Sequence, residues 1–178
     1  MVTTDVPPHV EVFGNPARII GYGSSQPPTQ RVEDSFAGGD VGVGGSRLVN
    51  LPTLADLRGS LTFAEVGGQL PFTPQRLFMV YQVPSGEVRG EHAHRELHQL
   101  LLCVAGACTV AVDDGRARIE VTLDDPSVAL YVPPLVWDTL YGFSPDAQLV
   151  VLASDVYDPQ DYIRDYDEFV QVANASHR

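Results

Sequence analysis

Three of the five histidines sit close together, at His92, His94 and His98. The spacing of His92-Ala93-His94 is i, i+2. On a β-strand this sets both imidazoles on one face and turns the small Ala93 to the other. Imidazole titrates near neutral pH, so such a pair both removes and returns a proton under ordinary conditions. Two of them on one face are suited to work on adjacent carbons of a single substrate. Arg89-Gly90 lies just upstream and adds a fixed cation, able to hold an anionic handle such as a phosphate bidentately, beside a flexible backbone point. The chemistry suggested is proton transfer next to a carbonyl, through an enediol or enolate. The competing reading is a packed or solvated pair with no role. His98, beyond a turn at Arg95-Glu96, is expected on the outer face.

The elements that must position this pair are short and β-rich. Gln75–Val83 ends in Pro84-Ser-Gly86, and His98–Val104 ends at Ala105-Gly106. Ala107–Val112 closes on Asp113-Asp-Gly115, a hairpin signal because glycine accepts positive φ. Arg116–Leu123 alternates Ile119, Val121 and Leu123 with polar neighbours. Ala129–Val132, Trp137–Phe143 and Gln148–Ala153 follow, each bounded by Pro, Gly, Ser or Asp. Strands of this length with turns between them predict an all-β barrel or sandwich. A helix is expected only over Pro159–Val172, with Tyr162, Tyr166, Phe169 and Val170 on one face. The acidic run Asp155–Glu168 reads as a solvated helix face and tail.

Composition narrows the function classes. The net charge is −12 from 11 cationic and 23 anionic side chains, and the pI is near 4.6. Such a surface repels phosphate backbones and anionic lipid, so neither nucleic acid nor a membrane is an expected partner. All 11 cations are arginine, which removes Schiff-base chemistry and every lysine acid or base. Cys103 and Cys108 are too few for a disulfide framework and are expected as buried free thiols. No apolar run approaches the length of a membrane span, and the first residues carry no secretory pattern, so a cytoplasmic location is expected. Residues 23–47 are rich in Gly, Ser, Pro and Gln and read as a flexible linker. They separate a segment 1–22 from a dense domain over 48–170, with 171–178 as a tail. His9 and His177 carry no argument.

Reading outwards from the pair gives Gly86-x5-His92-x-His94-x4-Gln99-x6-Gly106. This resembles the first motif of the cupins, small jelly-roll β-barrels. The resemblance therefore implies a cupin barrel with a short C-terminal helix. Metal-binding cupins place Glu where Gln99 stands and a further His where Asp138 falls. A neutral amide is a poor ligand and Asp138 does not restore a nitrogen-rich site, so no metal and no cofactor are expected.

The resemblance sharpens over about residues 48–170. Asp56-Leu-Arg-Gly-Ser-Leu61, Gln75-Arg76-Leu-Phe78, Arg89-Gly-Glu-His-Ala-His94, Asp113-Asp-Gly115, Leu130-Tyr-Val-Pro133, Trp137 and Tyr157-Asp-Pro-Gln-Asp-Tyr-Ile-Arg-Asp-Tyr166 look like the nucleotide-sugar 3,4-ketoisomerases. These are metal-independent cupins acting on dTDP-4-keto-6-deoxyglucose. The resemblance implies His92 and His94 as the catalytic pair and Arg89 as a substrate contact. Arg76 and Arg58 are candidates for the diphosphate, or else structural ion pairs. Gln99 is expected to point inward toward an imidazole or the sugar. Tyr131 and Trp137 are divided between core packing and stacking on sugar or base. Where the family usually has an aromatic pair after Arg76, this chain has Phe78-Met79. The family implies a homodimer, to which a strand near Leu61–Val66 would contribute a sheet edge. Residues 1–22 resemble the closing turn of hexapeptide-repeat acyltransferases, so a fused or partner acyltransferase is a further expectation. The competing functions are a dTDP-sugar 3,5-epimerase, a metal-dependent cupin enzyme and a non-catalytic nucleotide-sugar-binding cupin.

Overall fold

A computed structural model describes residues 39–176, together with the backbone of two short strands near the N-terminus, β1 (Val10–Phe13) and β2 (Arg18–Tyr22), paired antiparallel. The reading of 23–38 as a linker and the rest of 1–22 lie outside the described residues. The described end of that linker is packed: Val43 and Ser46 are buried in a turn that leads into β3 (Arg47–Asn50).

Two five-stranded antiparallel sheets face each other. One runs in the order β10 (Arg118–Leu123), β9 (Cys108–Asp113), β12 (Trp137–Tyr141), β7 (Arg89–His94), β14 (Tyr162–Ile163). The other runs β3, β11 (Val128–Val132), β8 (Gln99–Ala105), β13 (Gln148–Ala153), β6 (Arg76–Tyr81). A separate hairpin joins β4 (Thr53–Asp56) to β5 (Gly59–Thr62). The expected all-β jelly-roll architecture is thus present, with the strand segments within a few residues of the sequence boundaries.

Alternation along each strand builds the core. Leu101 and Cys103 of β8, Val110 and Val112 of β9, Leu130 and Val132 of β11 and Leu149 and Val151 of β13 all belong to one buried cluster between the sheets. Cys103 and Cys108 are free and buried there, as expected. Turn chemistry closes the strands. Gly115 has φ near 83° and donates its N–H to Asp113 Oδ1 at 2.7 Å, and a Cβ on Gly106 would lie 2.3 Å from Ser144 Oγ.

The C-terminal element corrects the sequence reading. The helix α1 spans Tyr166–Ser176, so it starts later than Pro159 and runs through most of the expected tail. Asp165 sets its start, accepting the N–H of Glu168 at 2.8 Å as an N-cap. Tyr162 and Ile163 pair instead with His94 and Ala93 of β7. Phe169 and Ala173 of α1 are fully buried against Ala93, Ile163 and Trp137, on the outer face of the first sheet.

Phe169 therefore clamps α1 to the strand carrying the histidines. Phe169→Ala is expected to lower stability by about 3–5 kcal/mol. The measurement is urea denaturation, with the midpoint falling at unchanged slope.

Candidate active site

The register of β7 against β12 decides which side chains meet. His92 stands opposite Asp138 and Arg89 opposite Leu140, with a shift in register between. Asp138 and Leu140 both face the interior and are buried. Positions three apart on a regular strand would face opposite ways, so Arg89 and His92 share a face only because the strand bulges at Gly90-Glu91. The bulge has φ near 78° at Gly90 and 55° at Glu91. A Cβ at Gly90 would lie 2.5 Å from Asp138 Oδ1 and 2.9 Å from its carbonyl oxygen. Both φ and the close approach therefore require glycine here.

The two imidazoles are in contact, as the i, i+2 spacing predicts. Their Nε2 atoms are 3.2 Å apart and the rings meet edge to face at 4.9 Å. His94 is almost fully buried, and its Nδ1 lies 2.6 Å from Asp161 Oδ2. The other oxygen of Asp161 accepts the N–H of Glu96 at 2.8 Å, which fixes the carboxylate. Burial pushes His94 down to about 4, and the neighbouring His92 acts the same way; Asp161 opposes both but is outweighed. At neutral pH His94 is thus an uncharged ring donating Nδ1–H to Asp161. That leaves its Nε2 as a lone pair turned toward His92 Nε2.

Asp138 lies beneath the pair, 2% exposed. Burial pushes its carboxyl up to about 6, against the pull of His92. Tyr162 closes the side, with its ring 4.3 Å from that of His94 and 4.9 Å from that of His92. Arg164 lies over the Tyr162 ring at 4.2 Å.

From the opposite sheet, register aligns Arg76, Ala153, Gln99 and Val132 as one row across β6, β13, β8 and β11. Gln99 is buried and faces inward, as expected. Arg76 stacks its guanidinium over Phe78 at 5.2 Å and Tyr157 at 5.6 Å, and its positive charge reaches His94. Its buried Nε has no hydrogen-bond partner within the chain. Arg89 is exposed at the start of β7.

Three expected site residues fall elsewhere. Trp137 pairs with Ala93 in register, and the strand alternation turns it to the helix side, away from the histidines. It packs there, partly buried, on Tyr166 at 5.2 Å and Phe169 at 5.5 Å. Tyr131 faces the outer side of the second sheet, its ring under Arg47 at 4.8 Å. Its hydroxyl meets His98 Nδ1 at 2.6 Å. That confirms His98 off the barrel interior but half-buried, and burial lowers its pKa. Arg58 sits on the β4–β5 turn, its Nε donating to Asp56 at 2.9 Å. Arg58 in turn holds the Asp56 carboxyl below its usual range; this is the structural ion pair, in a different element from the histidines.

Asp161 and Tyr162 were missed as site residues because the run 155–168 reads as a helical acidic face. The signal available was Asp158-Pro159, where proline disfavours a helical residue before it. Among the described residues no group of three or more His, Cys, Asp and Glu side chains is placed to hold a metal ion.

Two facing antiparallel sheets around a part-buried histidine pair define a cupin enzyme suited to acid–base work. The family model for FdtA, WxcM-like C-terminal, matches residues 44–174, and the chain belongs to that family. It is 44% identical over 124 residues to the TDP-4-oxo-6-deoxy-α-D-glucose-3,4-oxoisomerase of Aneurinibacillus thermoaerophilus, covering 70% of this chain and 89% of that protein. Among solved structures it is similar to a histidine-to-asparagine mutant of the 3,4-ketoisomerase QdtA from Thermoanaerobacterium thermosaccharolyticum, in complex with TDP-4-keto-6-deoxyglucose. That match has a TM-score of 0.73 and 34% identity, over 75% of this chain and 96% of the other. The TDP-quinovose 3,4-ketoisomerase WlaRB of Campylobacter jejuni matches with a TM-score of 0.70 and 36% identity, over 72% and 99%.

Removing the carboxylate behind His94 frees its ring to adopt the wrong tautomer. Asp161→Asn is expected to lower kcat by about 10²–10⁴-fold with KM little changed, as read from steady-state kinetics. The depressed His94 also links stability to pH. Its folded pKa lies below the unfolded value near 6.5, so its contribution is intact above 6.5 and is lost as pH falls toward 4. The stability difference between wild type and His94→Asn should shift by about 3 kcal/mol against wild type between pH 7 and pH 4, measured by urea denaturation at each pH.

Proposed function

We propose that this chain is a sugar-nucleotide 3,4-ketoisomerase that moves the keto group of dTDP-4-keto-6-deoxyglucose from C4 to C3. The observation that carries this reading is the part-buried His92–His94 contact, anchored by Asp161, in a chain whose relatives are named as 3,4-oxo- or ketoisomerases. In the proposed reaction His94 Nε2 takes the proton from C3 as the C3–H bond breaks. The electron pair forms the C3=C4 bond of an enediol, and O4 takes a proton from His92. Return of a proton to C4 and loss of the O3 proton give the 3-keto sugar, with no net change in composition. The two tautomers make this division natural: one ring offers a lone pair and the other a proton. Arg89 and Arg76 would hold the diphosphate. Their fixed charge costs no reorganisation as negative charge develops nearby.

The same reading takes the chain as a cytoplasmic homodimer. Leu61 and Val66 are exposed, as are Leu77, Met79 and Tyr81 on the edge strand β6. Those exposed apolar side chains support packing against a second copy. No helix among the described residues is long and apolar enough to cross a membrane. An acyltransferase partner, fused or separate, remains an expectation from residues 1–22 alone.

Proton NMR of dTDP-4-keto-6-deoxyglucose incubated with the protein in D2O and a chelator tests the reading. The keto group should move to C3 with deuterium at C4, and the coupling constants give the C4 configuration. Deuterium at C3 and C5 with inverted centres would make it an epimerase. Turnover only after metal is restored would make it a metal-dependent enzyme, and bound but unchanged nucleotide sugar a binding protein. Sedimentation equilibrium should give twice the 19.3 kDa chain mass.

A further inference from the structure

Asp138 has no part in the reaction as written, yet its surroundings are costly to build. Its Oδ1 is buried without a hydrogen-bond partner, a condition that destabilises a fold unless the group does something else. The strand beside it is bulged, and the glycine at 90 is required because any Cβ there would overlap that oxygen. Register sets Asp138 opposite His92 on β7 and opposite Val112 on β9. His92 is thus the titratable group facing it from β7, and β9 presents an apolar side chain. His94, Asp161 and, from the second sheet, Arg76 complete the charged or titratable groups around the histidine pair.

We propose that Asp138 is a positioning residue of the reaction. Its carboxyl, seated in the Gly90 bulge opposite His92, supplies the negative charge that keeps His92 as the proton donor of the pair. Cross-strand partners on one face stand about 4.5–5.5 Å apart at Cβ, and charges this close in a buried setting are weakly screened. Each imidazole then has its own carboxylate with a different effect. Asp161 bonds His94 directly and fixes its tautomer, while Asp138 acts on His92 through space from the facing strand. The proposal rests on the ketoisomerase reading, because it assigns a role within that pair.

Asp138→Asn keeps the shape and removes the charge, and it is expected to fold because it discards a buried, unpartnered carboxylate. The expected result is a kcat lowered about 10–100-fold with KM within about threefold, by analogy with outer-shell partners of functional histidines. The alkaline limb of the kcat–pH profile should move to lower pH by about one unit, because the negative charge facing the pair is gone. A packing role would alter melting temperature and leave that limb in place. Asp138→Glu should restore the limb at least in part. In the wild-type protein, ¹⁵N NMR of histidine-labelled enzyme should show His92 protonated at Nε2 and His94 unprotonated there, independently of any variant or of turnover. Unchanged kcat and pH limb in folded Asp138→Asn, or a proton found on His94 Nε2 in the wild type, would overturn the proposal. Turnover surviving His92→Asn or His94→Asn would instead overturn the ketoisomerase reading beneath it.

Discussion

The 2.6 Å hydrogen bond between His94 Nδ1 and Asp161 Oδ2 joins residues 67 positions apart, and β14 and the helix are packed against β7 where it forms. A buried imidazole is held neutral by its surroundings, and a neutral imidazole has one donor and one acceptor. Tying the donor to Asp161 leaves the acceptor pointing at His92. This requires β14 to pair with β7, which brings Tyr162 and Asp161 to the histidine strand. Helix α1 then seals the outer face of that strand, with Phe169 and Ala173 against Ala93 and Ile163. Arg95 adds an ion pair to Glu168 across the same junction, though both side chains are substantially exposed and such a pair adds little.

A second constraint is the bulge at Gly90-Glu91. Without it, Arg89 and His92 would project from opposite faces, and the Arg-Gly-x-His-Ala-His block would not set a cation and two imidazoles on one face of the strand. The backbone pays for this with positive φ at two successive residues, one of them Glu91. Strain of this kind persists where surrounding structure over-determines it. Here Asp138 packs into the bulge and β12 pairs on both sides of it.

The interior near the pair is also unusually polar for a barrel of this size. His94, Gln99 and Asp138 are buried, and Arg76 brings a guanidinium in from the opposite sheet. The small Ala153 stands between Arg76 and Gln99 in the same row. The aromatic groups divide cleanly by face. Tyr157 and Tyr162 lie on the site side, whereas Trp137 and Tyr131 serve the outer faces of the two sheets.

Much of this was legible in the sequence. Period-two alternation and turn residues are local signals, so the strands from Arg76 to Ala153 could be placed from them. The spacing of His92 and His94 determined that the rings share a face, because strand geometry makes i and i+2 neighbours whatever the fold. The family motifs supplied the reaction class. Local signals do not report which strands become neighbours, and that alone decided the rest. Pairing of β14 with β7 turned an apparent acidic helix into the carboxylate that anchors His94. The register of β12 against β7 put Asp138 with the histidines and Trp137 on the far side, a one-residue difference that reverses the face. The bulge set Arg89 on the same strand face as His92. Each depends on hydrogen bonds between residues distant in the chain, which spacing along a single strand cannot encode.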